Sequence, residues 1–152
     1  MCDDFQYIDL KGNKFSCSGF LMIKVEKMHH IAVICRDYEQ SKRFYCHTLG
    51  FELLFECYRQ ERDSWKADLA LGGVYTIELF SFPSPPPRVT SPEACGLRHL
   101  AFSVKDIDEA IATLVEEGVE CEAVRIDPYT GRRFTFFRDP DQLPIELYES
   151  DS

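Results

Sequence analysis

One internal repeat constrains this chain more than any other feature. The segment "HIAVICRDYEQS", from His30, aligns with "HLAFSVKDIDEA", from His99, at an offset of 69 residues, setting Ala32 on Ala101 and Asp37 on Asp106. Further along, "TIELF" (76–80) aligns with "PIELY" (144–148) at an offset of 68, so one residue has been lost between the two matches. A histidine opens each half and a glutamate sits near each end. The halves cover residues 24–82 and 95–149, and "PSPPPRVTSPEACG" joins them as an extended, polyproline-like linker centred on 83–94.

Both halves carry the same order of elements. An apolar strand ("HIAVIC", "HLAFSV") comes first. An aspartate then starts a helix, with Gln40 or Glu109 three residues on as in a capping box. In the second helix Ile107, Ala110, Ile111, Leu114 and Val115 fall on one apolar face. Gly50 and Gly118 follow the helices as C-terminal stops. Three strand-like runs close each half: "FELLFECYR", "KADLAL" and "VYTIELFSF", then "VECEAVRI", "RRFTFFR" and "PIELYE". The fold class predicted is α+β: two tandem βαβββ modules forming a mixed sheet within a single domain over 23–149. Residues 1–22 show no clear amphipathic period. They are read as an N-terminal extension, with a disordered arm or a later start at Met22 or Met28 as alternatives.

Charge and cysteine content narrow the function classes. With 26 acidic against 17 basic side chains the net charge is −9, which disfavours phosphate backbones and anionic membrane surfaces as partners. Seven cysteines, an odd number without CxxC spacing, fit free thiols in a reducing cytoplasm. The acidic start "MCDDFQYIDLKG" lacks the basic region of a secretion signal, and "FLMI" is too short to span a bilayer.

Side chains alternate across a strand, so His30 shares a face with Ala32 and Ile34, while His29 faces the other way with Ile31 and Val33. Glu78 and Glu146 each lie between apolar neighbours, a costly placement on a dry face. If both halves roll their sheets alike, His30, Glu78, His99 and Glu146 converge. Two imidazoles and two carboxylates suit a borderline divalent ion such as Zn, Ni, Co, Mn or Fe(II). The alternative is that duplication copied two surface histidines and two edge glutamates; the repeat favours the first reading. His29 reads as a structural or rim residue, Cys35 and Cys57 as small core hydrophobes, and Trp65 and Tyr129 as packing residues.

At "HHIAVICRDYEQSKRFYCHTLGFEL", "YTIELF", "GLRHLAFSVKDIDEA" and "FFRDPDQLPIELYE" the chain resembles the vicinal oxygen chelate superfamily of glyoxalase I, bleomycin-resistance proteins and extradiol dioxygenases, over residues 27–149. The resemblance implies paired modules building a cup-shaped sheet around a metal, with helices outside, and a homodimer acting on a small molecule, with the site at or near the subunit interface. It implies His30, Glu78, His99 and Glu146 as ligands of one divalent metal per site, Zn or Ni first and Co, Mn or Fe next. The full His-Glu-His-Glu set is most similar to glyoxalase I, a lactoylglutathione lyase. That implies proton abstraction α to a carbonyl through a metal-stabilised enediolate, with Glu146 as the base and Glu78 as the opposing ligand and second base. The superfamily also contains dioxygenases, epimerases and non-catalytic binding or resistance proteins, which stand as alternatives. Two departures argue against glutathione: Ile34 stands where glyoxalase I typically has arginine, and Phe82 where it tends to have asparagine. Arg132 and Arg133, after the "PYTG" turn, are candidates to hold an anionic substrate, with solvated surface charge as the alternative for each.

Overall fold

The computed structural model describes residues 5–8, 14–17 and 23–150. Two short strands in the N-terminal extension, β1 (Phe5–Ile8) and β2 (Lys14–Cys17), pair antiparallel as a hairpin. The rest of residues 1–22 lies outside the described residues. Module one follows as β3 (Ile31–Cys35), α1 (Tyr38–Arg43), a π-helical segment over Phe44–Thr48, β4 (Glu52–Arg59), β5 (Ser64–Leu71) and β6 (Val74–Ser81). Module two is β7 (Leu100–Val104), α2 (Ile107–Glu116), β8 (Arg125–Ile126), β9 (Arg133–Arg138) and β10 (Pro144–Glu149). The sheets have one topology, β3-β6-β5-β4 and β7-β10-β9-β8, with the first pair parallel and the others antiparallel. Parallel pairing of the first strand of each module with its last requires a crossover, and α1 and α2 supply its helical part. The α+β class and the tandem mixed sheets are as the repeat predicts.

Local chemistry sets the helix ends. Asp37 accepts from the Gln40 N–H and Asp106 from the N–H groups of Asp108 and Glu109, which satisfies donors the helix leaves unpaired. Gly118 closes α2 at φ +75°, in the left-handed region that glycine enters without a Cβ penalty. The run 119–126 departs from expectation. Only Arg125–Ile126 form a strand, and 119–124 attach to β9 chiefly through Glu122, whose N–H donates to the Phe136 carbonyl (2.7 Å). Its Glu-Cys-Glu-Ala core has low β propensity, and an edge strand gains only one neighbour.

Alternation decides which face of each sheet is dry. Val33 and Cys35 of β3, Ile77 and Leu79 of β6 and Ala67 and Leu69 of β5 join Leu100, Phe137, Ile145 and Leu147 of module two in one apolar core. Each large side chain fully buried there contributes about 1.5–3 kcal/mol. Helix α1 and its π-helical extension stitch the modules together. Phe44 lies against Phe137, and the Tyr45 hydroxyl donates to buried Asp139 at 2.9 Å. Asp141 accepts from the Arg36 N–H at 3.0 Å. Because the modules meet through these apolar faces, the opposite faces of both sheets look outward.

Candidate functional site

Those outward faces carry the four candidate ligands. His30 stands immediately before β3, and Glu78 lies on the neighbouring β6 opposite Ala32. Their Nε2 and Oε2 atoms are 3.2 Å apart, with the side chains 33% and 18% exposed. In module two, His99 stands immediately before β7, and Glu146 of β10 lies opposite Ala101. Again Nε2 and Oε2 are 3.2 Å apart, at 25% and 16% exposure. The duplication therefore reproduces the ligand geometry as well as the sequence.

The four do not gather into one group within a single chain, and the sequence had left open whether one chain or two supply the site. Among the described residues no three His, Cys, Asp or Glu side chains gather into a metal-binding group. The two pairs belong to different sheets whose other faces share the core, so packing of the modules turns the pairs away from one another. Each pair still fits a divalent ion. Two donors at about 2.1 Å from one ion and 3.2 Å from each other subtend roughly 100° at it, between the tetrahedral and octahedral angles. The donor set is thus two compatible halves.

The surroundings of the halves differ. Beside His30, the His29 Nδ1 lies 2.8 Å from the His30 Nδ1, and Tyr75 stacks on the His30 ring with centroids 5.3 Å apart. The Tyr75 hydroxyl donates to Asp68 (3.1 Å), and the Lys66 ammonium reaches both Asp68 (2.5 Å) and Glu78 Oε1 (3.0 Å). Burial pushes the Tyr75 phenol up to about 12, helped by its bond to the Asp68 carboxylate. Partial burial disfavours the Lys66 ammonium, yet its hydrogen bonds to Asp68 and Glu78 outweigh this and hold it charged.

Among the described residues nothing supports His99 in this way. Its ring meets Phe136 edge-on at 5.3 Å, and its Nδ1 is buried without a hydrogen-bond partner among the described residues. A cleft of about 450 Å³ opens beside it, lined by Arg98, Arg125, Phe134, Phe136 and Glu146. The Arg125 guanidinium lies over Phe134 and Phe136 at 4.9 and 5.2 Å, a cation–π arrangement, and pairs with Glu122.

The other sequence candidates fall elsewhere. Arg133 points from the opposite face of β9 to that of Phe134 and Phe136. It forms a bidentate pair with Asp108 at the start of α2 (2.9 and 2.6 Å), so it clamps helix to sheet and is not placed to hold a substrate beside Glu146. Arg132 donates to the Glu149 carbonyl at 3.4 Å. His29 touches the candidate site, where a structural or rim role was expected. Trp65 stacks on Tyr38, and Tyr129 is 96% exposed. Burial pushes the Cys35 thiol up to about 12, so it stays protonated as a core residue. Asp68, Tyr75, Phe134 and Phe136 carried no sequence signal by themselves, and Lys66 only that of a cation near a strand end; strand register brings them to the His–Glu pairs.

Residues 27–147 match the Glyoxalase/Bleomycin resistance protein/Dioxygenase superfamily, and the chain belongs to it. YaeR of Escherichia coli (strain K12) is 64% identical over 128 residues, 84% of this chain and 99% of that protein. The crystal structure of the glyoxalase family protein from Enterococcus faecalis superposes with a TM-score of 0.76 at 47% identity, covering 82% of this chain and 98% of that one. A variant of the fosfomycin resistance protein FosX from Listeria monocytogenes, complexed with Mn(II) and 1S,2S-dihydroxypropylphosphonic acid, shares the fold. Its TM-score is 0.66 at 22% identity, with 84% of this chain and 94% of that one covered. Among the described residues no helix is long and apolar enough to cross a membrane.

Proposed function

We propose that this chain is the subunit of a cytoplasmic homodimeric, metal-dependent lyase or isomerase of the glyoxalase I type. The observation that carries this reading is the pair of matched His–Glu couples, each 3.2 Å across and each on an outward face. A second copy of the chain is the occupant that completes them: module one of one protomer faces module two of the other, and symmetry makes two such sites. Large apolar side chains on the outward faces favour a partner there, including Ile34 and Phe55, which are 54% and 52% exposed. Free thiols at Cys35, Cys46, Cys57, Cys95 and Cys121 fit a reducing compartment.

His30, Glu78, His99 and Glu146 would hold one divalent ion per site, Zn or Ni first, with Co, Mn or Fe(II) also compatible with the donors. Such an ion supplies Lewis-acid polarisation of neighbouring substrate oxygens. The chain's own residues then divide the work. Lys66 occupies the second oxygen of Glu78, which keeps that carboxylate a fixed ligand. Glu146 pairs only with His99 among the described residues, and its other oxygen is free to take the proton from the carbon beside a carbonyl and return it to the next carbon. Phe134 and Phe136 form the apolar wall of the cleft beside Glu146. The substrate is a small oxygenated carbonyl compound. Ile34 and Phe82 offer no polar group to a glutathione chain, so a glutathione adduct is disfavoured.

The test is solvent deuterium entry at the α-carbon of small α-hydroxy carbonyl compounds and hemithioacetals in D2O, catalysed by metal-loaded protein. Entry by the wild type and its loss in Glu146→Gln, with metal content unchanged, is the expected result. Retained entry in that variant removes Glu146 as the base. Oxygen uptake with a catechol and no deuterium entry replaces the isomerase reading with a dioxygenase.

A further inference from the structure

The repeat holds for the ligands but fails in the layer behind them. Strand pairing sets Asp68 against Glu78 and Lys66 against Phe80; the matching pairs in module two are Phe136 against Glu146 and Phe134 against Tyr148. Lys66 and Asp68 thus stand where module two has two phenylalanines. Likewise His29, which precedes the first ligand histidine, has Arg98 as its counterpart, and Arg98 is turned to Glu93 at 2.9 Å.

We infer that His29, Tyr75 and Lys66 are positioning residues that hold His30 and Glu78 in ligand geometry before any metal arrives, which makes module one the anchoring half of the site. This rests on the metal-site reading above. To offer Nε2 to an ion, a neutral His30 must carry its proton on Nδ1, and the His29 Nδ1 at 2.8 Å is placed to accept from it, which would favour this tautomer. His29 is itself fixed edge-on to Tyr75, with centroids 5.3 Å apart. Tyr75 blocks rotation of the His30 ring by stacking on it, and its hydroxyl reaches Asp68. Asp68 orients Lys66, and Lys66 fixes the free oxygen of Glu78. The chain of contacts closes on itself: His29, His30, Glu78, Lys66, Asp68, Tyr75 and back to His30. Among the described residues module two has nothing equivalent: the buried His99 Nδ1 has no hydrogen-bond partner there, and the phenylalanine side chains make no hydrogen bonds.

Two measurements on the full-length chain test this. The first is Co(II) and Mn(II) affinity by competition with a chelating dye, for wild type, His29→Ala, His29→Asn and Arg98→Ala. His29→Ala weakens binding about 10- to 100-fold, the usual effect of removing the partner of a ligating histidine. His29→Asn keeps an acceptor near the His30 ring and recovers most of the loss, and Arg98→Ala binds as wild type. Thermal melting of the metal-free proteins stays the same across the set. Unchanged affinity in His29→Ala, or equal losses in His29→Ala and Arg98→Ala, overturns the inference. The second measurement is long-range ¹⁵N–¹H NMR of the imidazoles in metal-free protein, which does not depend on the metal reading. In wild type, His30 holds one ring orientation and gives one sharp set of signals. In His29→Ala and Tyr75→Leu it averages between states, whereas His99 is unaffected. A His30 ring equally ordered in those variants overturns the inference even if metal binds. Should the wild type bind no metal while its His30 ring loses order in the variants, the metal reading fails and the positioning role stands.

Discussion

Replacing Tyr45 by phenylalanine tests how the modules are held with their ligand faces outward. Tyr45 is fully buried and Asp139 is 3% exposed, and the Tyr45 hydroxyl donates to Asp139 at 2.9 Å across the module boundary. Asp139 also accepts from the backbone N–H groups of Asp141 (2.9 Å) and Leu143 (2.8 Å), so the variant leaves it partly satisfied. A hydrogen bond to a charged group contributes about 1.5–3 kcal/mol, and with two donors remaining a loss of about 2 kcal/mol is expected. At about 2–4 °C per kcal/mol for a chain of this size, Tm falls by about 4–8 °C. The loss should depend on pH. Burial is the main reason that Asp139 titrates above its ordinary value, and the bonds from Leu143 and Tyr45 oppose it. Because the fold penalises the ionised form, Asp139 lowers stability above its folded pKa, and the penalty is relieved as pH falls through that pKa toward the ordinary value. The Tyr45 hydroxyl supports the ionised form, so Tyr45→Phe enlarges the penalty. The difference between variant and wild type is full at pH 8 and shrinks as Asp139 takes its proton. Thermal melts of both proteins at a series of pH values check this. An equal Tm difference at neutral and acid pH, or a difference at pH 8 of under about 1 °C, refutes the reasoning.

Other expectations follow from the same contacts. Ile34→Asp or Phe55→Asp places a charge on an outward apolar face; it should shift sedimentation from dimer to monomer and remove bound metal without lowering the helix content seen by circular dichroism. Arg133→Ala breaks the clamp to Asp108 and should lower Tm slightly while leaving metal content and turnover intact, which separates it from residues of the site. Iodoacetamide should label exposed Cys95 at once and buried Cys35 only on unfolding, as mass spectrometry of timed samples would show.

Much of this was legible in the sequence because duplication writes each element twice. The βαβββ order of elements, the Asp37 and Asp106 caps and the matched His and Glu positions all follow from aligning the halves. What sequence could not supply was register. The Gly72–Gly73 turn pairs Leu71 with Val74 and Ala70 with Tyr75; continued without interruption, this ladder would bring Ala67 to Glu78. A bulge between Leu69 and Ala70 shifts it by one residue and brings Asp68 there instead, with Lys66 on the same face. A one-residue slip exchanges the faces of a strand, so the groups behind Glu78 were invisible to pattern reading. The separation of the two ligand pairs was hidden for another reason. Periodicity says which side chains share a face of one sheet, but not how two sheets pack. Arg133 looked available because Asp108, its partner, lies 25 residues away in sequence.

In the proposed dimer each metal site draws His30 and Glu78 from one protomer and His99 and Glu146 from the other. Subunit mixing decides this. A chain with His30→Ala and Glu78→Ala and a chain with His99→Ala and Glu146→Ala should each bind no metal alone. After the two are unfolded together and refolded, half of the dimers are mixed by chance, and each mixed dimer has one intact site. Metal binding should then return at about a quarter of an ion per chain. No metal regained in mixed dimers, with the wild type loaded in parallel, would show that all four ligands must come from one chain and would contradict the account.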